Sequence, residues 1–190
     1  MKKLLAIFIA LVMALGVCTA CSKKPAADPT TAPTEAADLT PISILAGVLA
    51  RYRQDDAVFH VSLDMAVDMQ ENSDLLQTIL YIPQGQMKHI TGAATMMHMN
   101  QSSFTGAALQ LEKGTDPNAF AAELADAVAE TQWLCGIPEK MFIATVDDSF
   151  MVIAYGLDND QAPLITTFQT HLKEAYGDRV AVLKTIDTFT

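Results

Sequence analysis

Methionine and histidine crowd together at Met96-Met97-His98-Met99, with Met87 and His89 a few positions upstream. Thioether and imidazole donors in one cluster would suit Cu(I). Strand geometry opposes a shared ion: successive side chains alternate between faces, so Met97 goes with Met99 and Met96 with His98. Methionine also fills irregular gaps in cores. That is the expected use here, and these four remain the only metal candidates. His60 and His171 complete the histidines, and no HxH or HxxxH spacing offers a zinc site. Asp147-Asp148 and Asp158-Asn159-Asp160 bring carboxylates together as calcium requires, yet the second lacks the Gly and distal Glu of an EF-hand loop. Turns on a solvated surface are expected, with Asp160 capping a helix.

Cys135 lies in the apolar context Trp133-Leu134-Cys135-Gly136-Ile137-Pro138. A nucleophilic cysteine needs a base or positive charge beside it to hold the thiolate. Neither stands nearby in sequence, so Cys135 reads as a small hydrophobe. G-x-S-x-G, S-x-x-K, H-E-x-x-H and phosphate-cradling Gly loops are absent after residue 20. The expectation is no enzyme, no catalytic residue and no cofactor. Trp133 and Tyr155 are able to line a groove, although such aromatics more often anchor a core.

Cys21 carries a different chemistry. Lys2-Lys3 precede an unbroken apolar run over residues 4–17, which closes on Thr19-Ala20 in front of Cys21. That order reads as a secretory signal, and the run is too short for a comfortable membrane span. The Thr-Ala-Cys ending resembles a bacterial lipoprotein signal, which implies cleavage after residue 20 and acylation of Cys21. Cys18 competes for the role, but bulky Val17 beside the cut disfavours it. Each buried methylene of an acyl chain contributes about 0.8 kcal/mol, and two chains give stable anchoring. The expected address is the extracytoplasmic face of the cell membrane, tethered and not spanning. Of three cysteines, that leaves only Cys135 in the domain and no disulfide within it.

The 190 residues include 12 basic and 22 acidic ones, a net charge of −10; loss of Lys2 and Lys3 makes the balance more acidic. No basic stripe remains to hold nucleic acid. The same charge repels an anionic membrane surface, so lipid must do the anchoring. Residues 21–39, rich in Ala, Pro and Thr, have little to bury and read as a disordered tether. Residues 40–190 are then one domain.

Thr40-Pro41 is a helix start, and Ile44, Leu45, Val48, Leu49 and Tyr52 predict a helix over 41–53. Residues 59–69 alternate with a period of two, which predicts a half-buried strand with Asp64 and Asp68 on its polar side. Ser73-Asp74 opens a short helix to Leu80, and Tyr81-Ile82-Pro83 breaks it. Strands are predicted over 95–100 and 104–112, then a helix after Pro117 with Phe120, Leu124 and Val128 inward. A second strand pair, 141–146 and 150–156, leads to a helix burying Leu164, Phe168, Leu172 and Tyr176 and stopping at Gly177. Residues 180–186 return to the sheet as an edge. The fold class is α+β: an antiparallel or mixed sheet, ββα-ββα-like in its C-terminal half, with two or three helices over one face. Ser103-Phe104 and Ser149-Phe150 occupy matching places and hint at a duplication.

Met96-Met97, the run from Ala107-Ala108-Leu109 to Lys113-Gly114, Trp133 with Pro138, and Ser149-Phe150-Met151-Val152-Ile153 together resemble an uncharacterised group of Gram-positive lipoproteins, those carrying domain of unknown function 4358. The resemblance implies the same architecture and location and brings no catalytic residues with it. Three functions are weighed: a noncatalytic envelope domain binding a protein, peptide or wall component; a small-solute or metal-ion binder; and, last, a hydrolase with a site assembled from distant residues. An exposed apolar patch favours the first and a deep pocket with convergent polar groups the second. Buried carboxylate or histidine pairs in a cleft would favour the third.

Overall fold

The structure, a computed structural model, describes residues 39–52, 62–134, 136–187 and 189, with backbone alone for 62–65. Cys18, Cys21, His60, Cys135, the tether up to residue 38 and the ends of the first predicted helix and strand lie outside the described residues.

Helix α1 (Pro41–Leu49) begins as its sequence dictates: Thr40 and Ser43 exchange backbone-to-side-chain hydrogen bonds in a capping box, and Pro41 sits where no amide is needed. It ends earlier than its apolar stripe suggests. Arg51 and Tyr52 donate to carbonyls three residues back, which tightens the last turn and lays Tyr52 edge-on against His171.

Six strands form one sheet in which every neighbouring pair is antiparallel: β1 (Ser62–Val67), β2 (Ile90–Met97), β3 (Phe104–Leu111), β4 (Lys140–Val146), β5 (Phe150–Gly156) and β8 (Val180–Ile186). Their spatial order is β1-β2-β3-β5-β4-β8, and β8 is an edge as expected. A two-residue hairpin, β6 (Asp158–Asn159) with β7 (Ala162–Pro163), stands apart. β2 starts five residues before the predicted strand, because Gly92-Ala93-Ala94 pairs in register with β3, after a register shift between Ile90 and Gly92, while lacking the branched residues that mark strands.

The helices cover both faces of the sheet, not one. Ala107, Leu109, Ile143, Met151, Ile153 and Tyr155 point to the face packed by α2 (Asp74–Leu80) and α3 (Pro117–Ala129). Ala94, Met96, Phe104, Phe142, Ala144 and Val152 point to the face packed by α1 and α4 (Leu164–Tyr176). The physical reason lies in β4 and β5, whose residues are apolar almost without interruption and buried nearly throughout. A strand with no polar side has to be covered twice.

α3 starts where Asp116 Oδ1 accepts from the amides of Asn118 (2.9 Å) and Ala119 (3.4 Å), and it buries Phe120, Leu124 and Val128. α4 is capped differently from expectation. Asp160 is exposed in the β6–β7 turn. The cap comes from Asp158, whose carboxylate accepts from the Thr166 amide and hydroxyl, both at 2.7 Å. The small hairpin folds back over the helix start and puts Asp158 there.

Candidate binding site

Three connections converge beside the sheet to line a cavity of about 510 Å³: Tyr81 at the end of α2, residues 99–102 between β2 and β3, and residues 132–134 after α3. Tyr81 ends its helix in the left-handed region at φ 56°, a conformation that costs an L-residue about 1–2 kcal/mol. Glycine or asparagine usually occupies such a position. Here it turns the tyrosine ring edge-on to Trp133, centroids 5.1 Å apart and planes at 71°. Trp133 in turn meets Tyr155 at 5.5 Å.

Tyr155 is fully buried and donates its hydroxyl hydrogen to the Ile79 carbonyl, which ties α2 to β5 beneath the cavity. Burial pushes the Tyr155 phenol well above its ordinary value, a hydrogen bond with Thr105 opposes the shift, and neighbouring Tyr81 adds to it. Burial raises the Tyr81 phenol as well. Both stay protonated at neutral pH and are poor bases. The indole Nε1 of Trp133 is buried without a hydrogen-bond partner among the described residues.

The turn at residues 99–102 is built by its own polar groups. Ser103 N donates to the Asn100 carbonyl at 3.0 Å, Ser102 Oγ to Asn100 Oδ1 at 3.0 Å, and Thr105 Oγ1 to the Gln101 carbonyl at 3.0 Å. Met99 and Leu134 stand at the rim, 105% and 96% exposed. Among the described residues no charged one lines the cavity, whose walls are Tyr81, Met99, Asn100, Gln101, Ser102, Gln132, Trp133 and Leu134.

The sheet divides the methionine–histidine cluster. Met96 is buried on the α1/α4 face, whereas Met97 packs against the opposite face. His98 lies against Phe104, and Met99 points into solvent at the cavity rim. The four side chains do not converge. Among the described residues no three His, Cys, Asp or Glu groups gather as a metal site. His89 approaches Glu112 at 3.8 Å, and His171 meets Glu174 at 2.9 Å on one helix.

Other polar clusters have structural duties. Asp147-Asp148 forms the β4–β5 turn, both residues at φ 52°, the double left-handed geometry of a tight hairpin. Arg179 donates twice to the Asp147 carboxylate and holds it below its ordinary range. Lys140 sits between Asp158 (3.0 Å) and Asp187 (3.6 Å) and donates to Thr166. Burial alone would raise the Asp158 carboxyl and lower Lys140. The Thr166 bonds and the Lys140–Asp158 pair outweigh burial, so the acid titrates lower and the amine higher than usual. A Lys held charged is no general base. A second open cavity, about 540 Å³, lies between residues 40–42, 66–70 and 91–93. Its one charged wall among the described residues, Asp68, is spent accepting from the amides of Gln70 and Glu71.

Of the two aromatics singled out from the sequence, Trp133 is a cavity wall and Tyr155 the buried support behind it. Tyr81 was legible only as a helix break, and the exposure of Met99 and Leu134 left no trace in the pattern. Among the described residues no helix is long and apolar enough to cross a membrane. Set against protein-family models, curated proteins and solved structures, the chain matches none.

Proposed function

We propose that the chain is a lipid-anchored, extracytoplasmic domain that binds a protein or peptide partner at the cell envelope without catalysis. In this reading cleavage follows residue 20, Cys21 carries the acyl chains, residues 21–39 are the leash, and the domain is a member of the lipoprotein group it resembles. The observation that carries the binding reading is the full exposure of Met99 and Leu134 beside the cavity walled by Tyr81 and Trp133. Single exposed apolar residues are ordinary, but a cluster around an aromatic cavity marks an interaction surface. Trp, Tyr and Met are also the side chains enriched at interfaces. A small-solute-binding lipoprotein is the second reading. The cavity volume of about 510 Å³ favours it, because ligand pockets run from roughly 300 to 1,000 Å³.

Two measurements test the proposal. Labelled palmitate should enter the protein, and Cys21→Ala should release it from the membrane fraction; unchanged fractionation of the variant would remove the anchor. Crosslinking mass spectrometry on intact cells should join lysines of this chain to a fixed envelope partner. Crosslinks no more frequent than chance collision would remove the partner.

A further inference from the structure

Among the described residues nothing charged lines the Tyr81/Trp133 cavity, although the chain carries 22 acidic residues and a net charge of −10. A cationic ligand would find its counter-charges elsewhere, and an anionic one would be repelled by the whole domain. The walls instead combine two half-buried aromatic rings, three side-chain amides (Asn100, Gln101 and Gln132) and the fully exposed Met99 and Leu134. Gln101 and Gln132 each offer both donor and acceptor, which suits the N–H and C=O groups of an extended backbone, while Asn100 Oδ1 already accepts from Ser102 Oγ. Aromatic-lined grooves of this kind take extended peptides by a side chain in the pocket and polar groups along the main chain. From this composition we infer that the cavity docks an uncharged, extended segment of a partner protein, which packs one apolar side chain into the cavity against the paired Tyr81 and Trp133 rings.

The inference rests on the binding reading above and adds the place and the chemistry. A neutral saccharide would also use aromatic faces and amides. It would gain nothing from Met99 and Leu134, whose aliphatic surfaces stand free at the rim and are covered by an apolar side chain and its neighbours. Tyr81 supports the same assignment: its left-handed backbone serves no turn that glycine would not serve better, while its ring supplies a wall. Strain of this kind collects at ligand-holding positions.

Trp133 is the one tryptophan of the chain, so the site carries its own reporter. The mature chain, acylated and reconstituted in phosphatidylcholine vesicles, is titrated with acetylated and amidated hexapeptides carrying Leu, Phe or Pro at the centre of a Gly/Ser frame. Ser-, Lys- and Asp-centred peptides and an N-acetylglucosamine tetramer serve as rivals. The expected result is a saturable change in Trp133 emission with the apolar-centred peptides alone. Leu134→Ser with Met99→Ser should weaken it at least tenfold and leave the thermal midpoint unchanged, since both side chains are already in solvent. Saturation by the saccharide alone would overturn the peptide assignment and leave the envelope-binding reading standing. Equal response to all peptides, silence of every probe, or indifference to Leu134 and Met99 would reject this cavity as the docking site. The Cys21 and crosslinking results decide the wider proposal separately.

Discussion

Gly47 lies inside α1 and faces α4. A Cβ built on it would overlap the hydroxyl oxygen of Tyr176 and stand 3.0 Å from Cζ. That hydroxyl donates to the carbonyls of Ser43 and Ile44, each at 3.1 Å. Gly47→Ala therefore sets two effects against each other. Replacing glycine within a helix gains about 1 kcal/mol. Forcing a methyl into a packed contact costs about 1–3 kcal/mol, here by driving the ring outward and breaking the hydroxyl's bonds. The net expectation is a loss of about 1 kcal/mol, or about 2–4 °C in midpoint for a domain of this size. Tyr176→Phe alone should cost about 1 kcal/mol, the usual net worth of a hydrogen bond.

Combined, the two changes should not add. With the oxygen gone, the nearest ring atom is at 3.0 Å, and a shift of a few tenths of an ångström accommodates the methyl. Gly47→Ala should then become neutral or stabilising, with a coupling energy of about 1 kcal/mol or more. Urea unfolding of all four proteins, followed by far-UV circular dichroism, measures the cycle. Additivity within about 0.5 kcal/mol, or a Gly47→Ala variant that is simply more stable, would refute the packing of α1 on Tyr176.

Three further outcomes follow from the geometry. A Cβ on Gly156 would overlap the Ser103 carbonyl oxygen and come within 2.9 Å of Phe104 Cα; backbone cannot swing aside as a ring can. Gly156→Ala should therefore cost about 3 kcal/mol, read as a fall in thermal midpoint of about 6 °C or more, and a midpoint within 2 °C of the parent would contradict the close approach. Tyr155→Phe leaves the Ile79 carbonyl without its donor in the core and should cost about 1–3 kcal/mol in chemical denaturation; a loss below about 0.5 kcal/mol would mean that α2 is not tied there. Asp158 titrates below its unfolded value of 3.8, so its contribution is complete above about pH 5 and lost as pH falls through 3.8 and below. Asp158→Asn should flatten that acid limb, and identical acid-unfolding curves for parent and variant would remove Asp158 from the account.

Parts of this fold are legible because local chemistry and tertiary demand agree. Asp116-Pro117 followed by Phe120, Leu124 and Val128 states a cap, a start and a buried stripe, and α3 forms over those residues. The β5 run Phe150-Met151-Val152-Ile153 is equally plain. Elsewhere the deciding contacts are distant. Gly92-Ala93-Ala94 becomes strand because β3 pairs with it, and Asp158 becomes the α4 cap because a two-residue hairpin folds it back. The cavity is the least legible part. Nothing local says that Tyr81 takes a left-handed backbone, or that Met99 and Leu134 stand in water while the similar residues Met97 and Leu124 are packed in.

Topology explains why those scattered residues meet. The crossover from β3 through α3 to β4 passes β5, and that from β5 through α4 to β8 passes β4, so both step the same way across the sheet. β3 and β5 run in opposite directions. Two crossovers of one hand, stepping alike from opposed strands, must place their helices on opposite faces. α3 and α4 do lie on opposite faces. A duplication related by a twofold axis normal to the sheet would keep both helices on one side, so the matching Ser103-Phe104 and Ser149-Phe150 pairs are not related by that axis; each stands at the start of the second strand of its hairpin. The same crossover builds the cavity. α3 runs for 13 residues, about 20 Å at 1.5 Å per residue. It returns the chain towards the end of the sheet where β3 began, beside the β2–β3 turn. α2 makes a shorter return from β1 towards the far end of β2. Tyr81, Met99 and Trp133 thus meet because each ends or joins an element at one end of the central strands, with Tyr155 on β5 behind them.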